Sequence, residues 1–382
     1  MFILTEEQKK LRQELRDFAD HEMLPQAASL EANKGFAWGI FKTLGEAGYL
    51  DVSFLNHRPE AKYTGVSSAI IMEEIARGLP SLTLGMSPHL QCMNLIALNG
   101  AESLRERIVP GALKGEHLLA FAISEASGGS DALGTDTTAE FDGEGWILNG
   151  EKCWITNLGA ATGYIVSAKN PYSSRSRDVS LFYVDAATPG LETSRVMLTG
   201  VNNSPTGTVR MRNCHLPADC LVGRENDAYG LMKILLNEGR FDMAALAVGI
   251  AQGAMECAVQ HSNRNGNFGR TLSSYQGISF QVARMYEKIF VARSTLYQVA
   301  RLFEQGERAT PEVAALKLFA SEMCLEVTRS AVQVLGARGL VQYSDVERYF
   351  RDAQMLTIGE GSSEVCQIVI SRRLYHSEPG IY

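Results

Sequence analysis

The sequence predicts a mainly α protein with an inserted β domain. An N-terminal α-helical domain (residues 1–117) precedes a middle β domain (118–225) and a C-terminal α-helical bundle (226–382). Three observations carry this prediction. Apolar residues recur at helical spacing through both outer regions. Short β-rich runs, cut by turn clusters, fill the middle one. Helical segments do not alternate with those strands, and no G-x-G-x-x-G occurs. A small antiparallel barrel or sandwich is therefore expected, not a parallel dinucleotide-binding sheet.

In chain order, Thr5 and Gln8 form a capping box ahead of a face carrying Leu11, Leu15 and Phe18. Helical patterns follow at 36–47, 65–77, 90–99 and 101–109, separated by glycines and prolines, and the polar segment 54–64 reads as a loop. Strands are expected at 118–123, 146–149, 164–168, 179–184 and 207–212, with Asp142-Gly143-Glu144-Gly145 as one dividing turn. Long amphipathic patterns then cover 230–264, 272–305 and 311–335, before two shorter ones. Thr310-Pro311-Glu312 starts the last of the long helices with a cap, a proline at the first position and an acid behind it.

With 382 residues the chain is too long for one compact core. Its 45% hydrophobic and 21% charged residues are ordinary globular values. A net charge of −7 argues against nucleic acid or an anionic membrane as the main partner. No run reads as a membrane span, and the N-terminus resembles neither a secretory signal nor a transit peptide, so a cytoplasmic location is expected. Seven scattered cysteines fit a reducing compartment. The histidines never pair at helical ligand spacing and Cys214 and Cys220 match no zinc pattern, so no metal site is expected.

The stretch Met355-Leu356-Thr357-Ile358-Gly359-Glu360-Gly361-Ser362-Ser363-Glu364 sets a carboxylate between two glycines. Glycine on both sides allows a sharp turn and the close approach of another molecule. Ser362 or Ser363 can cap the helix that follows, leaving Glu360 at a loop-to-helix junction, where a general base is readily presented. A solvated loop glutamate is the alternative. A second stretch, Phe121-Ala122-Ile123-Ser124-Glu125-Ala126-Ser127-Gly128-Gly129-Ser130-Asp131, runs from a strand into a loop of small hydroxylated residues. Such a loop suits the polar edge of a flat ring or a phosphate, or is a plain turn. In Asn149-Gly150-Glu151-Lys152-Cys153-Trp154-Ile155-Thr156-Asn157, Trp154 is placed to cover an aromatic cofactor or to fill core. Two further stretches interrupt the helical bundle: Arg264-Asn265-Gly266-Asn267-Phe268-Gly269 leading to Tyr275-Gln276, and Val332-Gln333-Val334-Leu335-Gly336-Ala337-Arg338-Gly339. The first is suited to a diphosphate, the second to close backbone approach.

Taken in this order, these stretches resemble the acyl-CoA dehydrogenase family of FAD flavoproteins over nearly the whole chain. The resemblance implies that family's fold, in which the middle domain is an antiparallel β-barrel and the C-terminal region a four-helix bundle. It also implies FAD, an acyl-CoA substrate, electron-transferring flavoprotein as acceptor, and a homotetramer or homodimer. Phe121, Ile123, Ser124 and Ser130 would line the flavin, with Ser130 also near the substrate. Trp154 and Thr156 would cover the isoalloxazine ring. Phe268, Gln276, Gln333 and Gly336, with Arg264 or Asn265, would hold the adenylate and diphosphate, partly from a neighbouring subunit. Ser362 and Glu364 would close the cofactor site. Asn237, Arg240 and Gly361 would face the thioester, and Glu360 would be the catalytic base.

The implied reaction is α,β-dehydrogenation of the acyl thioester to the trans-2-enoyl-CoA. An α-proton of a thioester is very weakly acidic, so a base must remove it while enolate character is stabilised. Family members aim two hydrogen bonds at the thioester carbonyl, one from the base's own backbone N–H and one from the flavin ribityl chain. Some relatives carry the base just before the arginine matched by Arg240; that position is Gly239 here, which favours Glu360. Glu238, one residue off, is expected to point away. Departures from the family pattern are Asn265 for an arginine, Ala337 for a glycine, Asn202 for an arginine, Ser362 for a threonine, and the lack of an acidic, glycine-rich loop before Gly65. Within the same fold, a dehydrogenase or oxidase acting on a carrier-protein-bound acyl group is the alternative. A non-catalytic homologue and a serine hydrolase using Ser130 are more distant ones.

Overall fold

The computed structural model describes residues 3–53, 58, 60–131, 134–173 and 178–376. The N-terminal region holds α1 (Glu6–Phe18), α2 (Leu24–Asn33), α3 (Trp38–Glu46), the short parallel pair β1 (Val52–Ser53) and β2 (Tyr63–Thr64), then α4 (Gly65–Gly78), α5 (Pro80–Asn99) and α6 (Glu102–Leu113). The capping box at Thr5 forms as expected. Residues 54–57 and 59 of the expected loop 54–64 lie outside the described residues. α5 begins ten residues ahead of the pattern read at 90–99. Residues 80–96 are buried on every side, so they present no amphipathic stripe, and Pro88 sits inside the helix.

The middle region is an eight-stranded sheet: β3 (Leu119–Ala122), β4 (Thr138–Phe141), β5 (Gly145–Thr156), β6 (Gly163–Lys169), β7 (Val179–Asp185), β8 (Leu191–Val196), β9 (Thr206–Pro217) and β10 (Leu221–Val222). The path runs β10-β7-β6-β4-β5-β9-β8, with β3 also on β6. It is antiparallel, as expected, except along one edge of β6. There β3 pairs in parallel (Leu119 opposite Gly163), and β4 meets the strand's far end in parallel (Thr138 opposite Lys169). β3 and β4 thus lie end to end on β6, and the connection between them is pushed out as a loop. This loop is the serine- and glycine-rich one singled out above.

The C-terminal region comprises α7 (Ala228–Arg264), a tight hairpin of β11 (Gly266–Asn267) and β12 (Arg270–Thr271), α8 (Gln276–Glu304), α9 (Thr310–Leu335), α10 (Asp345–Ala353) and α11 (Ser363–His376). By length and composition α7 alone among the described helices could cross a membrane, against the expectation that no run reaches that length. Of its most apolar stretch 78% is buried inside the protein, where α7 packs against α4, α5, α8, α9 and α10. It is the core helix of the bundle. The outer regions are tied by a buried ion cluster: Glu73 of α4 accepts from Arg293 (2.8 Å) and the Tyr297 hydroxyl (2.9 Å) of α8, and Glu74 pairs with Arg77 at 3.1 Å. Losing one member would leave a buried charge uncompensated.

Candidate functional site

Glu360 lies in the turn between α10 and α11, and the turn is held from outside itself. Glu360 and Gly361 both have left-handed backbones, with φ of 53° and 91°. That conformation is disfavoured for a glutamate and persists only when its surroundings impose it. Here α9 supplies the restraint. Lys317, fully buried, donates its ammonium to the Gly361 carbonyl at 2.6 Å, and Ser321, one turn on, donates to the Leu356 carbonyl at 3.0 Å. Ser362 caps α11, its hydroxyl accepting from Val365 N–H at 3.4 Å, as the sequence suggested. Its hydroxyl also holds the Glu364 carboxyl below its usual range.

The carboxylate of Glu360 is folded against α7. A Cβ on Gly239 would lie 2.2 Å from Glu360 Oε2 and 2.6 Å from Cδ, so only glycine leaves room there. Burial raises the Glu360 pKa, and the charges of Arg240 and Lys317 oppose the rise. Arg240 is buried next to Gly361, and its Nε has no hydrogen-bond partner among the described residues. Asn237 is buried one turn earlier, with Nδ2 on the Arg308 carbonyl at 2.6 Å and Oδ1 unpartnered. The fold therefore brings Glu360, Gly361 and Arg240 together, with Asn237 one turn before Arg240 on the same helix.

In the middle domain, Phe121, Ile123 and Ser124 are half-buried and Ser130 is exposed; Ala132, in the serine-hydrolase pattern, lies outside the described residues. The loop is pinned from beneath by Glu125. Its carboxylate accepts from Lys152 Nζ (2.7 Å), Thr135 Oγ1 (2.6 Å) and Thr137 Oγ1 (2.6 Å). Burial raises its pKa, but those hydrogen bonds and the Lys152 charge outweigh burial and bring it to about 2. Lys152 also donates to the Ile123 carbonyl at 3.1 Å, and Ser124 accepts from Cys153 N–H at 2.9 Å. The register of β5 on β9 shifts between Lys152 and Ile155, a bulge that puts Trp154 in a left-handed conformation and turns its ring outward, 62% exposed. Thr156 is half-buried just beyond it. An outward indole, two hydroxyls and a pinned loop are a donor set suited to a flat, polar-edged ring, as the implied flavin requires.

A second group forms at the end of the bundle. The β11–β12 hairpin and the turn after α9 share a pocket of about 230 Å³ lined by His261, Asn265, Asn267, Leu335, Ala337 and Arg338. Asn265, standing where the family pattern has arginine, caps α7 by donating to the His261 carbonyl at 3.0 Å. Arg264, Gln276 and Gln333 are exposed, and Phe268 at the hairpin tip is 96% exposed. Gly336 is left-handed, and nothing lies within 4 Å of where its Cβ would be, an open cradle.

Sequence reasoning missed Lys317, since a lysine in an amphipathic helix reads as solvated. We expect Lys317→Met to lower kcat about tenfold with little change in KM, because the turn that carries Glu360 loses its restraint. Unchanged kcat would remove Lys317 from the account. It also missed a buried acid pair on α7. Glu238 is buried, and burial followed by the charge of Asp242 pushes its pKa up to about 8. Asp242 likewise rises to about 8, chiefly from burial, with hydrogen bonds from Ser87 and Gln91 opposing and the charge of Glu360 adding to it. Raised acid pKa values mean that the folded state holds protons the unfolded chain releases, so stability should fall as pH climbs from about 4 to about 8. The loss is at most about 1.4 kcal/mol per pH unit for each group. Thermal unfolding followed across that window should show the decline, and Asp242→Asn should flatten it.

Residues 5–116, 120–214 and 229–375 match the acyl-CoA dehydrogenase N-terminal, middle and C-terminal domains respectively. The chain is 34% identical over 377 residues to the probable acyl-CoA dehydrogenase YngJ of Bacillus subtilis, covering 98% of this chain and 99% of that one. It is 33% identical over 376 residues to the mitochondrial short-chain specific acyl-CoA dehydrogenase of Rattus norvegicus, covering 98% and 91%. Among solved structures, a glutaryl-coenzyme A dehydrogenase in complex with glutaryl-CoA superposes with a TM-score of 0.93 at 29% identity, covering 99% of this chain and 97% of that one.

Proposed function

This chain belongs to the acyl-CoA dehydrogenase family of FAD enzymes, and on that premise we propose that it oxidises an acyl-CoA at its α,β bond with Glu360 as the base. The observation that carries the proposal is the seat of Glu360: a strained, restrained carboxylate folded onto Gly239, with its pKa raised by burial.

Glu360 takes the α-proton of the thioester. Burial makes it a stronger base than a solvated carboxylate once ionised, while Arg240 and Lys317 keep the ionised form accessible. Its own backbone N–H, presented by the left-handed turn, is a donor for the thioester oxygen as charge develops there. Phe121, Ile123, Ser124, Trp154 and Thr156 would hold the isoalloxazine region of FAD, which when bound supplies the hydride acceptor. The hairpin carrying Phe268, with Gln276, Gln333 and Gly336, would hold the adenylate side. Exposed apolar side chains on the bundle, among them Phe268, Phe280, Leu340 and Val341, suit an interface with further copies of this chain. Electron-transferring flavoprotein is the proposed acceptor.

The short-chain relative makes butyryl-CoA the first substrate to try. Turnover of the FAD-loaded enzyme with that thioester and electron-transferring flavoprotein should yield a product two hydrogens lighter, its double bond between the α and β carbons. A product of any other kind, or hydrolysis to the free acid, would reject the assignment.

A further inference from the structure

The α-proton and the hydride leave neighbouring carbons, so the base and the flavin must stand at a fixed spacing across one bond. In this chain they ride on different domains. Thr156 of the flavin wall ends β5 in the middle domain, and Glu360 follows α10 in the bundle. The loop between β8 and β9 joins the two. Its far end leads to the flavin wall: Thr206 pairs with Thr156, and Leu158 N–H donates to the Pro205 carbonyl at 2.8 Å. Its near end is clamped on α10, the helix that leads into the Glu360 turn. Val201 N–H donates to Oδ1 of the fully buried Asp352 at 2.6 Å, and Arg351 donates to the Thr199 carbonyl at 3.0 Å. Gly200 lies so close that a Cβ there would stand 2.6 Å from the Arg351 carbonyl oxygen. Val201 itself is left-handed, with a φ of 52°, an outlier for a β-branched residue that persists only where its surroundings impose it. From the N-terminal region α2 adds Glu31, fully buried, which accepts from Arg351 at 2.8 Å and from Asn202 at 2.6 Å.

Resting on the reading of Glu360 as the base and of Thr156 as flavin wall, we propose that Asp352 and Arg351 are positioning residues, which hold the loop from Thr199 to Val201 on α10 and so set the spacing between the flavin and Glu360. Apolar contacts would suffice to glue two domains together. A carboxylate is a costlier choice: burial, then the charge of Glu31, pushes the Asp352 pKa up to about 6. What it supplies in return is direction, one acceptor that fixes one strained peptide. Because that peptide lies on the path from Thr156 to α10, moving it moves the base relative to the flavin while leaving the flavin's own contacts, on β3 and β5, as they are.

The test is Asp352→Leu, which removes the acceptor, read on the FAD-loaded enzyme by kcat, KM, FAD affinity and backbone hydrogen exchange. With butyryl-CoA kcat should fall about thirtyfold, because a displacement of about 1 Å at the reacting groups costs on the order of 10²-fold and the remaining clamps limit the shift. KM and FAD affinity should change little. Exchange should rise together in residues 199–204 and 355–361 and stay native in 121–124, a pattern that general loosening of the fold does not produce. Asp352→Asn, which keeps an acceptor for Val201 N–H, should restore most of kcat. If Asp352→Leu fails to fold, Gly200→Ala pushes the loop off α10 with one methyl and leaves every charge in place, and the same pattern is expected. Native kcat in either folded variant, equal losses of kcat and FAD affinity, or exchange that rises throughout the chain would overturn the inference, and an inactive Glu360→Gln would leave the base reading standing. An active Glu360→Gln would bring down both.

Discussion

Glu360→Gln should keep FAD and lose roughly 10³- to 10⁴-fold in kcat, the contribution expected of a general base. Glutamine fits the same volume and still reaches the space over Gly239, so the turn held by Lys317 and Ser321 has no reason to move. What changes is proton affinity. The α-proton then has no acceptor at the site, and the remaining donors polarise a thioester that cannot ionise. Substrate binding, read as KM or as a spectral shift of the bound flavin, should change little. Loss of FAD along with activity would instead make Glu360 a structural residue. In the native enzyme, the rate should rise with pH as Glu360 ionises, with the midpoint above that of a solvated glutamate.

Gly239→Ala should be the second most damaging change, and it adds only a methyl group. Alanine is the better helix former, so by propensity the substitution would stabilise α7. The new Cβ, however, would sit 2.2 Å from Glu360 Oε2, closer than any side-chain carbon can stay. Either the carboxylate swings off α7 or the turn shifts, and a displacement of about 1 Å at a reacting group is enough to cost on the order of 10²-fold in rate. A fall in kcat with intact folding and FAD content is expected. Activity within a factor of two of the native enzyme would mean the carboxylate does not react from this position.

The sequence made the Glu360 turn legible because its signals are local: glycine on each side, a serine cap, a helix beginning directly after. The strand-to-loop passage at Phe121–Ser130 and the outward Trp154 were likewise readable as motifs. What holds them was not. Glu125 and Lys152 sit in those same motifs, but their ion pair depends on the loop folding back over β5, which no spacing reveals. α5 was read short because a helix buried on all sides has no periodicity to detect. The β-rich run at 146–149 covers only the start of β5, whose register shifts at Gly150 and before Ile155 are bends within one strand. Ser87, Gln91 and Asp242 went unnoticed because they come from helices more than a hundred residues apart, and each alone reads as an ordinary polar position.

The most direct test of the dehydrogenase reading is anaerobic addition of butyryl-CoA to the FAD-loaded protein, followed in the visible flavin band. The account predicts that the band bleaches with formation of the enoyl thioester in the native enzyme, and that Glu360→Gln, binding the same thioester, leaves it unbleached. A native flavin that stays oxidised with every saturated acyl-CoA offered, or a Glu360→Gln variant that bleaches at the native rate, would contradict it.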